Sequence, residues 1–195
     1  MKKKLILTTE CKNNNIYLIT LNNPDKRNPL SLKLIKLLQL EFDKLKKNKN
    51  IKVVIIQSTG ISFSSGHDLK EVKEAASSKN KLLNLFNKCS KMMLSIRYLP
   101  QPVIASVNGV AAAAGCQLVA SCDLAIASSS SFFQTPGVNI GLFCSTPMVA
   151  ISRKILPKDM MYMLLSGDQI TASKAESIGL INKHVTKKRL NTEVF

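Results

Sequence analysis

The sequence predicts an α/β fold, and three observations predict it. Short β-branched runs alternate with stretches whose apolar residues recur at helical spacing, a succession of strands and helices and not the pattern of a bundle. One central stretch is almost uncharged: from Tyr98 to Ser152 the only charged side chain is Asp123, while lysines crowd both flanks, so the centre belongs to the interior. A chain of 195 residues with 45% apolar content has room for one substantial core, and residues 1–195 read as a single domain without internal repeat or long linker.

In order along the chain, "KLILTT" and "IYLITL" read as two strands joined across the polar turn "ECKNNN". Ser31 is a good helix cap, and Leu34, Ile35, Leu38, Phe42 and Leu45 behind it fall at intervals of three and four with lysines on the other side, which predicts an amphipathic helix. "VVIIQST" is a β-branched, uninterrupted run and is expected as a buried strand. A second helix is expected from about Lys81 to Tyr98, stopped by "LPQP", with "PVIASV" as the next buried strand. "AAAAGCQLVASC" follows as a tightly packed helix, "DLAIAS" as a strand, and residues 146–180 as helical segments broken at Pro157 and Gly167.

Composition excludes several functions. The net charge of +16 invites nucleic-acid binding, but 28 basic residues include only four arginines, the side chain that base edges and phosphates favour. Lysine spread over solvated faces attracts anions in general and specifies no nucleic acid. Residues 103–122 are uncharged over a length that can span a bilayer, yet Asn108, Gln117 and a run of alanines give weak hydropathy with no aromatic belt, so no membrane association is expected. The start "MKKKLILTTE" has an apolar run too short for a secretory signal and does not look like an Arg- and Ser-rich transit peptide. Five cysteines, Cys11, Cys89, Cys116, Cys122 and Cys144, are odd in number and lack metal-ligand spacing, which points to reduced thiols in an intracellular compartment. With two scattered histidines no metal site is expected.

Two loops carry candidate chemistry. In "FSSGHDLKE", Gly66 permits a tight turn after a strand and Asp68 can cap the next helix, which would leave backbone N–H groups near His67 facing open space. In "NGVAAAAGCQL", Asn108-Gly109 turns the chain and small side chains begin a helix, so a ligand can approach the backbone. Taken singly, the first loop reads as a helix cap and the second as close helix packing. Taken together, each follows a buried strand and each can present one N–H donor, the two-donor requirement of an oxyanion hole.

The motifs "FSSGHDLKE", "PQPVIASVNGVAAAAGCQLVASCDLAIAS" and "FQTPGVNIGL" resemble those of the crotonase, or enoyl-CoA hydratase/isomerase, superfamily. The resemblance begins at "LNNPDKRNPLS", with Asn22, Pro24 and Asn28, and continues through "LLSGDQITASKAESIGLINKHV", so it covers almost the whole chain in order. It implies a spiral of ββα turns, usually a homotrimer or hexamer, that binds acyl-CoA thioesters and needs no cofactor beyond the thioester itself. The thioester carbonyl would lie between the backbone N–H groups of His67 and Ala114, which would stabilise an enolate. CoA would run along Lys26, Arg27, Ser65, Gly66, Asp68 and Leu69, with Gly115, Pro136 and Gly137 completing the substrate site. The resemblance further implies a place in fatty acyl-CoA metabolism and a mitochondrial location, with the cytoplasm as the alternative.

The chain departs from the family pattern in two ways. The two glutamates that position and activate water in a hydratase correspond to Gln117 and Gly137, and neither can exchange a proton at neutral pH. General acid–base help is worth about 10²–10⁴ per group, so hydration is expected to suffer while Gln117 still offers an amide to a water or an acyl oxygen. The usual C-terminal trimerisation helices are expected to be short or missing. His67 as a base and Cys144 or Ser145 as a nucleophile lack an evident partner, and His184 reads as a surface residue. Three functions stay open: an acyl-CoA enzyme using enolate stabilisation, a catalytically degenerate CoA-binding sensor or carrier, and a basic interaction protein, which the two intact small-residue loops disfavour.

Overall fold

The structure is a computed structural model and describes residues 4–11 and 15–195. Strands β1 (Ile6–Cys11) and β2 (Ile16–Leu21) pair antiparallel from Ile6 opposite Leu21 to Cys11 opposite Ile16. This is the hairpin expected from "KLILTT" and "IYLITL"; residues 12–14 of the "ECKNNN" turn and the first three residues of the chain lie outside the described residues. Helix α1 (Leu32–Leu45) is capped as expected, with the Ser31 side chain accepting from the Leu34 N–H at 3.3 Å. Its apolar stripe, Leu34, Ile35, Leu38, Phe42 and Leu45, is buried throughout.

From there the chain advances in ββα turns. The first contains β3 (Val53–Ser58), β4 (Ser62–Ser64), α2 (Leu69–Ala75) and the long α3 (Lys79–Arg97). The second contains β5 (Val103–Val107), β6 (Val110–Ala112) and α4 (Ala114–Ser121). The third contains β7 (Leu124–Ser128), β8 (Phe132–Gln134) and α5 (Ser145–Ile151). The remaining elements are α6 (Pro157–Ser166), β9 (Ile170–Thr171), α7 (Ala172–Ser177), β10 (Lys183–Val185) and the short α8 (Leu190–Val194). Pro157 opens α6 and Gly167 closes it in the left-handed conformation, as the two helix breakers in the sequence require.

The first strand of each turn joins a six-stranded sheet of order β1-β2-β3-β5-β7-β10, parallel except at β1. The second strand of each joins a small sheet of order β4-β6-β8-β9. Alternation along β3 shows why its sequence is uninterrupted: Val54 and Ile56 face the main core with α1 and α3, while Ile55 faces a second cluster with Val185, Leu190 and Val194. Both faces of the sheet are therefore covered, α8 helping to cover the outer one.

The expected helix "AAAAGCQLVASC" needs a correction: Ala111 and Ala112 pair in β6, and the helix begins only at Ala114. Alanine favours helix intrinsically, but a three-residue strand bracketed by β4 and β8 gains two ladders of hydrogen bonds that outweigh that preference. No helix of the described residues is long and apolar enough to cross a membrane.

Candidate active site

The small sheet exists to bring two chain turns together. Asn28, wholly buried, donates to the Thr59 and Ser62 carbonyls at 2.9 Å each and accepts from the Asn23 N–H at 2.7 Å. Its carbonyl accepts from the Ser64 hydroxyl at 2.8 Å. The Leu30 N–H donates to Gly66 and the Ser65 N–H to the Arg27 carbonyl, so residues 27–30 run alongside the end of β4. This lattice places Lys26 and Arg27, both exposed, beside Ser65.

Gly66 has φ +90°, and a Cβ there would lie 2.8 Å from the Ala112 carbonyl oxygen and 2.9 Å from the Ala113 side chain. Only glycine lets the two turns close on each other at this point. Gly115 does the same one step on, where a Cβ would sit 2.4 Å from the Ser64 carbonyl oxygen. On the opposing turn Ala113 holds φ 48°, a conformation that L side chains rarely adopt, pinned by its N–H donating to the Gln134 carbonyl at 2.9 Å. Strain of this kind costs about 1–3 kcal/mol and persists where surrounding structure over-determines it. Here it starts α4 abruptly, so that Ala114 is the first helical residue and its N–H has no helical acceptor.

Among the described residues neither the His67 nor the Ala114 N–H donates to a protein acceptor, and both residues line one cavity of about 490 Å³. Ser65, Leu69, Pro136 and Gly137 from the expected substrate site line it too. Lys26, Arg27, Gly66, Asp68 and Gly115 do not line it; Asp68 caps α2 by accepting from the Lys70 N–H at 3.0 Å. Val72, Phe86, Ile140, Leu142 and Phe143 supply an apolar wall. These five were not evident in the sequence, because α2 is too short to show a periodicity, Phe86 lies off the buried stripe of α3, and the segment 139–143 looks like an ordinary loop.

The His67 ring is packed, not poised as a base. It meets Phe86 edge to face at 5.3 Å, and both ring nitrogens are buried without a partner. Burial pushes its pKa below the ordinary histidine value, with a smaller opposing pull from the Leu30 backbone, so the ring stays neutral. Cys144 lines the same cavity; burial pushes its thiol up, offset in part by a hydrogen bond to the Gly137 backbone.

The two positions that differ from the hydratase pattern have opposite fates. Gly137 is on the cavity wall but locked: a Cβ would lie 2.3 Å from the Leu142 carbonyl oxygen and 2.7 Å from the Cys144 sulfur, so that sulfur fills the space a side chain would need. Gln117, expected to reach the acyl group, does not line this cavity; it is 5% exposed and faces a neighbouring one, with its Oε1 unpartnered. All five cysteines are free thiols, four of them buried.

The Enoyl-CoA hydratase/isomerase family model matches residues 11–195. The human protein named "Enoyl-CoA hydratase domain-containing protein 3, mitochondrial" is 51% identical over 177 residues, which are 91% of this chain and 58% of that relative. The chain thus spans less than two thirds of that relative's length. A crystal structure of human enoyl coenzyme A hydratase domain-containing protein 3 superposes with a TM-score of 0.93 at 46% identity, covering 98% of this chain and 74% of that one. One of an enoyl-CoA hydratase from Mycobacterium smegmatis gives 0.95 at 41% identity, with 98% and 74% covered. The chain belongs to the enoyl-CoA hydratase/isomerase family and has the crotonase fold of its members.

Proposed function

We propose that this chain, as a member of that family, binds an acyl-CoA thioester in the cavity between β4, α4 and the 136–147 segment and polarises its carbonyl with the two N–H groups of His67 and Ala114. The observation that carries this is the pair of partnerless donors on one cavity wall, held together by the glycine contact at Gly66. An enolate oxygen is a stronger acceptor than a thioester carbonyl, so donors fixed in advance favour the enolate; one such donor is worth about 10²–10³ in rate. Lys26 and Arg27, exposed beside Ser65, would meet the CoA phosphates, and Leu69, Val72 and Phe86 would cover the acyl chain. Cofactor-free enolate chemistry on fatty acyl thioesters follows, of the kind an isomerase or a decarboxylase needs, while a thioesterase would use the same donors on a tetrahedral oxyanion.

Hydration is a poor fit, because it needs a group that takes a proton from water on the acyl face. The locked Gly137 has none to give, and Gln117 lies on another wall. The mitochondrial relatives suggest the same compartment for this protein. Assembly into a trimer or hexamer is proposed on the family's habit alone. Calorimetric titration with crotonyl-CoA and with free CoA tests the reading, with the enoyl absorbance followed in the same sample. Saturable binding of both with hydration at least a hundredfold below a two-glutamate homologue is expected. Failure of crotonyl-CoA to bind would overturn it.

A further inference from the structure

The cavity that Gln117 faces is separate from the one that holds His67 and Ala114, and Thr146 is the only residue the two share. It measures about 410 Å³ and lies between α3, α4 and α5. Three cations line it, Arg97, Arg153 and Lys154, against one carboxylate, Asp123. Neither arginine forms an ion pair with any described residue. Lys154 donates to the Cys122 carbonyl at 3.0 Å, and Asp123 is engaged with the Val103 N–H at 2.8 Å. An amide that is 5% exposed stands in this wall with its carbonyl oxygen unpartnered. Met93, Leu94 and Val149 form an apolar part of the wall, beside the hydroxyl residues Ser90, Ser121 and Thr146.

We infer that this second cavity binds a small amphiphilic oxyanion, a carboxylate or phosphate monoester with a short apolar body and no adenine nucleotide. The two unpaired guanidinium groups suit an oxyanion head because their N–H forks match its paired oxygens. Met93, Leu94 and Val149 suit a short hydrocarbon body, and the Gln117 side-chain N–H groups can donate to a polar atom on it, the Oε1 being buried. The inference also accounts for the amide at position 117. A glutamate there would add a second anion to Asp123 inside the cavity and repel the ligand, whereas glutamine removes that charge and supplies N–H donors. This site stands independently of the thioester reading.

The test is calorimetric titration of the full chain with hexanoate, with hexyl phosphate and with inorganic phosphate. At least one of the two amphiphiles should bind saturably, more weakly as salt rises, while inorganic phosphate, which lacks the body, binds at least tenfold more weakly. Which amphiphile binds tighter decides between a carboxylate and a phosphate head. Arg153→Gln and Gln117→Glu should each weaken that binding at least tenfold, and Arg153→Gln should leave titration with crotonyl-CoA unchanged. Arg97→Gln is the second variant, and circular dichroism checks that each variant is folded. No binding of either amphiphile, binding unaltered in folded Arg153→Gln and Arg97→Gln, or displacement by saturating free CoA would each overturn the inference. Amphiphile binding without crotonyl-CoA binding would support this site and sink the thioester reading alone.

Discussion

The two walls of the cavity that holds His67 and Ala114 are built on the same device with opposite results. At Gly66 the absence of a side chain lets backbone meet backbone, and the result is two N–H groups left without acceptors and facing the cavity. At Gly137 the absence of a side chain is filled from outside, by the Leu142 carbonyl and the Cys144 sulfur, and the result is a wall with no carboxylate. Under the proposed function, the first wall would polarise a carbonyl, and the second has closed over the place where the hydratase pattern has a glutamate. On that reading the two capacities are separable, because donor placement is carried by backbone geometry and proton transfer by single side chains.

The sharpest way to break the comparison is Gly66→Ala. The new Cβ meets two neighbours below 3.0 Å with φ at +90°, so steric crowding and backbone strain both apply and together cost about 3 kcal/mol. Urea denaturation should show that loss, and crotonyl-CoA binding should fall below detection even where the variant folds. Retained stability and binding would mean that the two turns are not held by this contact. Next in size is Asn28→Ala, which leaves the Thr59 and Ser62 carbonyls and the Asn23 N–H without their buried partner. A loss of about 2–3 kcal/mol is expected by the same denaturation, with thioester affinity reduced in the fraction that remains folded.

A third variant addresses the opposite wall. Gly137→Glu restores the carboxylate of the hydratase pattern in sequence but not in space, because the Leu142 carbonyl and Cys144 sulfur occupy its path. We expect a destabilisation of about 1–3 kcal/mol and no gain in crotonyl-CoA hydration. Hydration that rises tenfold or more would show that the wall yields and that the two walls differ in residue type alone.

How much of this was legible in the sequence follows from where the information lies. Strands β2, β3, β5 and β7 of the large sheet and helices α1 and α3 were readable, since burial on one or both faces leaves an apolar pattern over many residues, and β1 was readable from its β-branched run; β10, three residues long, was not. The small sheet was not: β4, β6 and β8 have three residues each, too few for a period, and Ala111 and Ala112 carry a helical preference that the tertiary ladder overrides. Six of the expected site residues line the cavity, because they sit at turns whose glycines and caps fix the backbone locally. The direction of Gln117 and the filling of the space at Gly137 were illegible, since both depend on how α4 and the 136–144 segment pack against distant neighbours. Side-chain direction at a helix start is set by the turn before it, and here that turn contains the strained Ala113.

The smallest effect expected concerns Cys144, and it tests whether the closed wall still faces the ligand. Burial raises the thiol pKa, so at pH 7 its thiolate fraction is below that of a free cysteine and grows only as the pH passes beyond the ordinary thiol range. Alkylation of the Cys144 peptide by iodoacetamide, followed by mass spectrometry, should therefore be slow at neutral pH and accelerate towards alkaline pH. Cys116, whose thiol is pushed up to about 12 in full burial, should stay unmodified over the same range. Saturating crotonyl-CoA should slow the Cys144 reaction several-fold, because the sulfur lies on the wall the acyl group would cover. Alkylation at an unchanged rate with the ligand bound would place the acyl group against the other wall only, and the two walls would then no longer belong to one site.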